Sequence, residues 1–290
     1  MALAVTHLTP AVGAEISGVD LARLGNAEFQ KIERAWHSHS ALLFRGQRMD
    51  DDHLLSFSRR FGELDPPPVQ EHGRISPPGY PDVYVVSNVM DEKGQPIGAL
   101  GAGEAVWHTD MSYLDVPPHA SMLYALEVPP EGGDTWICGM QAAWETLPAA
   151  LKEVVAGRRI KHDGTYNSGG YLRKGAEATD DPHKAAGAWH PAVSLHPVTG
   201  QPSLYLGRRR NSFVEGLSRA ESDALLDALW AHIDSPKLRY VHKWRIGDLL
   251  LWDNRSTMHR RDPFDGKARR IMHRTQIKGT TRPQAYVRAV

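Results

Sequence analysis

The side chains best suited to chemistry in this 290-residue chain lie in two stretches far apart in sequence. Between Leu249 and Gly279, the apolar run Leu249-Leu250-Leu251-Trp252 and the segment Arg270-Ile271-Met272-His273-Arg274-Thr275-Gln276 read as two strands. Polar chain with strong turn chemistry at Asp262-Pro263-Phe264-Asp265-Gly266 joins them. Side chains alternate along a strand, so Arg270, Met272, Arg274 and Gln276 share one face. His259, read as the end of the first strand, then stands beside two guanidinium groups able to hold carboxylates. Upstream, Trp107-His108-Thr109-Asp110 places an imidazole and a carboxylate two residues apart, on the same side of an extended backbone. His108, Asp110 and His259 together supply two imidazoles and one carboxylate. That donor set holds a non-haem Fe(II) on one face and leaves positions open for a chelating co-substrate and O2. With 15 histidines in the chain an H-x-D pair is weak by itself, and composition accounts equally well for a solvated histidine, a turn aspartate and surface arginines.

The order of the motifs carries more than any one of them. Trp-His-Thr-Asp at 107–110, Gly-Gly-Asp-Thr at 132–135, Trp-Asp-Asn-Arg at 252–255 followed by His259, and Arg270-Ile271-Met272-His273-Arg274 resemble the taurine/2,4-dichlorophenoxyacetate dioxygenase family. The similarity runs from Gly13-Ala14-Glu15-Ile16-Ser17-Gly18-Val19-Asp20 to Gly279. It implies Fe(II) held by His108, Asp110 and His259 as the catalytic metal site, with 2-oxoglutarate and O2 as co-substrates. Thr135 would contact 2-oxoglutarate, Arg270 would pair with its distal carboxylate, and Arg274 would take the head group of an acidic substrate. The implied reaction hydroxylates a C–H bond of a small anionic compound, a sulfonate, sulfate ester, carboxylate or aryloxyacid, and releases succinate and CO2. Related halogenases carry a small residue in place of the carboxylate ligand, so Asp110 points to hydroxylation. The chain departs from the taurine enzymes at Pro67 and Gln70, where the family has histidine and tyrosine, and at Glu104, where it has asparagine. The substrate pocket is therefore altered, and Gln70, Glu104 and Arg210 are its candidate contacts, Arg210 closing the run Arg208-Arg209-Arg210 near a family pocket position.

The rest of the pattern supplies a scaffold. Helices are expected over 27–38 and 50–61 around a strand at 41–45, with further strands at 82–87, 120–126, 134–138, 192–196 and 204–207. A helix is expected over 141–156, and the capping box Ser218-Arg219-Ala220-Glu221 opens another to residue 233. Segments 240–244 and 247–252 read as a hairpin. This is a mostly β chain with flanking helices, and the double-stranded β-helix, or jelly roll, that the resemblance implies suits it. One domain over 1–290 is expected, with three Pro- and Gly-rich stretches, 65–81, 88–106 and 163–189, as lid loops. In the third, Tyr166, Asn167 and Tyr171 are substrate-contact candidates. The glycines of the second lack a following G-K-[ST] and a helix, which removes a phosphate cradle.

Composition excludes other classes. Lys plus Arg and Asp plus Glu both number 34, so nothing favours a nucleic-acid partner. The single Cys138 rules out a disulfide framework and fits a reducing compartment. No basic leader with a long apolar run occurs, and no 18-residue apolar stretch, so a cytoplasmic protein without membrane contact is expected. A small-molecule substrate and a homo-oligomeric state are expected. Two rival readings use the same residues: a non-catalytic jelly roll binding 2-oxoglutarate or iron, and a zinc hydrolase built on the triad.

Overall fold

Alternation along the strands determines how the layers pack. In the computed structural model, which describes residues 2–69 and 75–287, Leu42 and Phe44, Leu249 and Leu251, and Met122 and Tyr124 all face one apolar cluster. Their chain neighbours Ala41 and Leu43, Leu250 and Trp252, and Leu123 and Ala125 face another. The three strands involved, Ala41–Phe44, Leu249–Asp253 and Ala120–Glu127, are central to a nine-stranded sheet among the described residues. One face of this sheet is covered by helices α1 (Asn26–His39) and α2 (Asp51–Arg59), through Phe29, Ile32, Trp36, Leu54 and Phe57. The other face packs on Ile137 of a four-stranded sheet ordered Arg239–His242, Thr135–Gly139, Thr257–Arg261 and Ala105–His108.

The four-stranded sheet alternates in the same way. Ile137 and His259 are directly paired across strands, whereas Cys138 and Met258 turn to a third cluster with α3 (Met140–Thr146) and α5 (Arg219–Ile233). Two sheets face to face with helices outside is the jelly-roll arrangement expected from the sequence. The α5 capping box forms as read, with the Ser218 N–H donating to the Glu221 carboxylate at 2.9 Å. Among the described residues no helix is long and apolar enough to cross a membrane.

Three expectations fail for identifiable reasons. Segments 240–244 and 247–252 are not a hairpin: Arg239–His242 pairs with Thr135–Gly139 in the small sheet, and Leu249–Asp253 pairs with Ala41–Phe44 and Ala120–Glu127 in the large one. Periodicity fixes which face a residue takes but not which strand it joins. The two opening strands are likewise not neighbours, since Ala120–Glu127 lies between Leu249–Asp253 and Ile271–Ile277, and His259 belongs to a separate strand, Thr257–Arg261. The expected helix over 141–156 breaks at Pro148 into α3 and α4 (Ala149–Val155), because the residue before proline is driven out of the helical region.

The chain crosses between the sheets at Asp253–Ser256, and a buried charge fixes that corner. The Asp253 carboxylate accepts from the Arg255 guanidinium, at 2.8 Å to Nε, and from His196 Nε2 at 3.0 Å. Burial alone would raise its pKa, but Arg255 first and then His196 outweigh burial and hold it well below the usual carboxylate range. A depressed folded-state pKa contributes stability that is present above the unfolded value and lost as pH falls toward the folded one. Asp253→Asn should therefore cost roughly 3–5 kcal/mol near neutral pH, the penalty of breaking a buried pair. It should also shrink the loss of stability on acidification through the ordinary aspartate range. Urea unfolding at a series of pH values checks both.

Candidate metal centre

His108 ends its strand directly opposite His259, which places the two imidazole rings 4.1 Å apart between their centroids. The turn after His108 brings Asp110 to the same point, with Oδ1 3.5 Å from His108 Nε2 and 3.6 Å from His259 Nε2. Met111 follows with φ of 45°, in the left-handed region, turning the chain sharply away. Donor atoms of all three residues lie within 4.8 Å of one another, and all three residues are buried.

Each group is held in the form a metal needs. His108 Nδ1–H donates to the Val106 carbonyl at 2.7 Å, which leaves the Nε2 lone pair directed at the site. Burial lowers the pKa of both imidazoles, that of His259 well below the usual value, so both stay neutral near pH 7. Burial would raise the Asp110 carboxyl, but the charge of Arg274, foremost among the groups around it, overcomes this and holds the acid well below the usual carboxylate range. Asp110 Oδ2 accepts from Ser121 Oγ at 2.8 Å, from Trp252 Nε1 at 3.3 Å and from the Arg274 guanidinium. One carboxylate oxygen is thus pinned and the other faces the imidazoles.

Beside the triad lies a small cavity walled by Leu123, Thr135, Trp252, Arg261 and Arg270. Arg270 is only 1% exposed, and its Nε and Nη2 are buried without a hydrogen-bond acceptor among the described residues. Burial, and then the adjacent charge of Arg261, push its pKa down to about 9. A guanidinium keeps its proton in a protein, so this downward push marks an unbalanced buried cation that a bound carboxylate would neutralise. Thr135 Oγ1 accepts from Trp244 Nε1 at 3.0 Å, which leaves its own proton to donate. The residues therefore fit both groups the sequence implies: a divalent ion on three ligands, and a dicarboxylate whose far end reaches Arg270 and Thr135.

The structure brings His108, Asp110, His259, Thr135, Arg270 and Arg274 together. Glu104 lies outside this group, half exposed and 3.5 Å from Arg260. Arg210 is not brought to the metal cavity either; it pairs with Asp180 at the surface and stacks 3.4 Å over Tyr166. Arg208 points inward instead. Gln70 lies outside the described residues. Sequence reasoning missed Ser121, Trp252 and Arg261 as site residues. The first two are in strands that looked purely structural, whereas Arg261 was detectable as the i+2 neighbour of His259 on one strand face.

Comparison with known proteins agrees with this geometry. Residues 4–276 match the model of the taurine catabolism dioxygenase TauD, TfdA family. The chain is 31% identical to an (S)-phenoxypropionate/alpha-ketoglutarate-dioxygenase of Delftia acidovorans, covering 96% of this chain and 95% of that protein. It is 34% identical to an alpha-ketoglutarate-dependent 2,4-dichlorophenoxyacetate dioxygenase of Cupriavidus pinatubonensis, over 94% and 97% of the two chains. The crystal structure of AAD-2 in complex with Mn(II) and N-oxalylglycine superposes with a TM-score of 0.79 at 29% identity, over 98% of this chain and 100% of that one. The chain belongs to the TauD, TfdA family. It is a 2-oxoglutarate-dependent dioxygenase that works with Fe(II), 2-oxoglutarate and O2.

Two substitutions separate the halves of the site. His259→Ala should abolish tight Fe(II) binding in anaerobic titrations, since two ligands remain. Arg270→Ala should leave Fe(II) binding in place but weaken 2-oxoglutarate by roughly 3–5 kcal/mol, because the distal carboxylate loses its charged partner in a dry site. Unchanged 2-oxoglutarate affinity would remove Arg270 from this role.

Proposed function

We propose that this dioxygenase hydroxylates a C–H bond of a small anionic organic substrate of the aryloxyacid, sulfate ester, sulfonate or carboxylate type. The observation that carries this reading is the division of charge inside the barrel. Arg270 and Arg261 lie in one cavity beside the triad, and further arginines, Arg208 and Arg274 among them, line an adjoining one. Relatives named for phenoxypropionate and dichlorophenoxyacetate, both carboxylic acids, support the same substrate chemistry.

When bound, Fe(II) with 2-oxoglutarate and O2 supplies oxidative decarboxylation of the keto acid, to succinate and CO2, coupled to hydroxylation of the substrate. The chain's own residues set the stage for it. Arg270 and the Thr135 hydroxyl hold the distal carboxylate of 2-oxoglutarate and so fix the direction of its keto-acid end. Arg274, Ser121 and Trp252 hold Asp110 ionised and oriented. The apolar walls at Val86, Leu123 and Trp252 keep water away from the reacting end. Pro68, Leu100 and Ser168 each line one or both cavities, which supports the three stretches 65–81, 88–106 and 163–189 as covers of the site. Arg274 keeps its proposed contact with the substrate head group, since it lines both cavities while holding Asp110. A cytoplasmic enzyme acting on a free small molecule, working as a homo-oligomer, completes the reading; the balanced charge and the lone buried Cys138 support the first two parts of it.

The test is turnover with strict accounting. Protein with Fe(II), 2-oxoglutarate and a panel of aryloxyacids and alkyl sulfates should form succinate in proportion to hydroxylated product, and all activity should stop when O2 is removed. Product formed without O2, or with zinc replacing iron, would favour the hydrolase instead.

A further inference from the structure

Next to the 2-oxoglutarate cavity lies a second small space, which shares His108, Leu100, Ser168 and Arg274 with the first but does not reach Arg270. Arg173, Arg208 and Arg274 all line it. Arg274 is engaged by Asp110 and also donates to Ser121 Oγ at 2.9 Å. The other two arginines have no such partner. Arg208 is buried, and its Nη1 donates only to the backbone carbonyls of Asp163, at 3.3 Å, and Tyr166, at 2.5 Å. The nearby Asp163 carboxylate is committed to the Thr165 and Tyr166 amides and to Asn211. Arg173 stacks 4.3 Å over the Tyr113 ring. The Nε atoms of both arginines are buried without an acceptor, and neither residue forms an ion pair among the described residues. Burial, and then the charge of Arg173, push the pKa of Arg208 down to about 10.

Two cations lining one space, each with a buried Nε that lacks an acceptor among the described residues, are costly unless an anion joins them. We propose that Arg208 and Arg173 join Arg274 in the subsite that holds the oxoanion head group of the substrate, whose reacting C–H bond then lies beside His108 and Asp110. This rests on the dioxygenase reading and specifies where the substrate's charge is held. A guanidinium fork suits carboxylate and sulfate oxygens alike, which accommodates both kinds of acid. Arg173 and the carbonyls that anchor Arg208 belong to the 163–189 stretch, so head-group binding also fastens that stretch over the site.

The experiment is anaerobic calorimetry of the Fe(II)- and 2-oxoglutarate-loaded protein with three probes: (S)-2-phenoxypropionate, its methyl ester and hexyl sulfate. The two acids should bind and the ester, one methyl group larger and uncharged, should bind at least tenfold more weakly. Arg208→Gln should lower acid affinity by about 10- to 100-fold, the worth of a charged hydrogen bond, and leave the ester where it was. Arg208→Lys, a point charge without the fork, should recover part of that loss. Because Arg208 also anchors backbone carbonyls, Arg173→Gln at a half-buried position provides an independent variant, expected to lose about tenfold on the acids alone. Acid affinity unchanged in both glutamine variants, equal binding of acid and ester by the wild type, or no binding of any probe would overturn the subsite. The titration of 2-oxoglutarate in the same cell separates the two levels: its failure in the wild type strikes the dioxygenase reading, whereas its survival confines a negative result to Arg208 and Arg173.

Discussion

The two oxygens of Asp110 divide the work on which the centre depends. Oδ2 is tied to Ser121, Trp252 and Arg274, all on strands of the large sheet, while Oδ1 faces the imidazoles of His108 and His259 from the small sheet. The carboxylate is thereby a link between the two faces of the sandwich as well as the proposed metal ligand. Without Arg274, burial would favour the neutral acid, and a protonated Asp110 would be a poor metal ligand. The same burial that threatens the carboxylate helps the histidines, because it holds both imidazoles neutral with lone pairs available.

Two kinds of buried charge stand out in the interior. Asp253 has its partners within the chain, Arg255 and His196, and fixes the crossover between the sheets. Arg270 and Arg208 lack an ionic partner among the described residues, and both line cavities beside the triad. Unpaired buried cations are costly to keep in a folded protein, so their concentration around one triad is a physical argument for anionic ligands there. The apolar walls strengthen each such contact by keeping water out.

Much of the site was legible in the sequence, for particular reasons. The i, i+4 placement of Arg270 and Arg274 and the i, i+2 placement of the H-x-D pair follow from strand geometry, and motif order supplied the link from His108 to His259 across some 150 residues of chain. What stayed hidden was partnership. Residues 240–252 look like a hairpin because two apolar runs flank a short turn, yet the chain passes from one sheet to the other between them. Ser121 and Trp252 look like ordinary strand residues, and only the folded register shows that they meet Asp110. In Arg208-Arg209-Arg210, family position favoured the third arginine, whereas the structure sends Arg209 to Asp223 and Asp227 on α5, Arg210 to Asp180, and Arg208 inward. The 163–189 stretch looked open and mobile, but Asp163, Thr165 and Ser168 are buried, and the Asp163 and Asn167 side chains accept from backbone amides of the stretch.

The central claim is that one interior site holds Fe(II) on His108, Asp110 and His259 with 2-oxoglutarate chelated beside it. The most direct measurement is anaerobic addition of Fe(II) and then 2-oxoglutarate to metal-free protein, followed by visible absorption. A metal-to-ligand charge-transfer band should appear only when both are present and should be absent in His259→Ala. No band in the wild type, with zinc bound tightly in its place, would contradict the account.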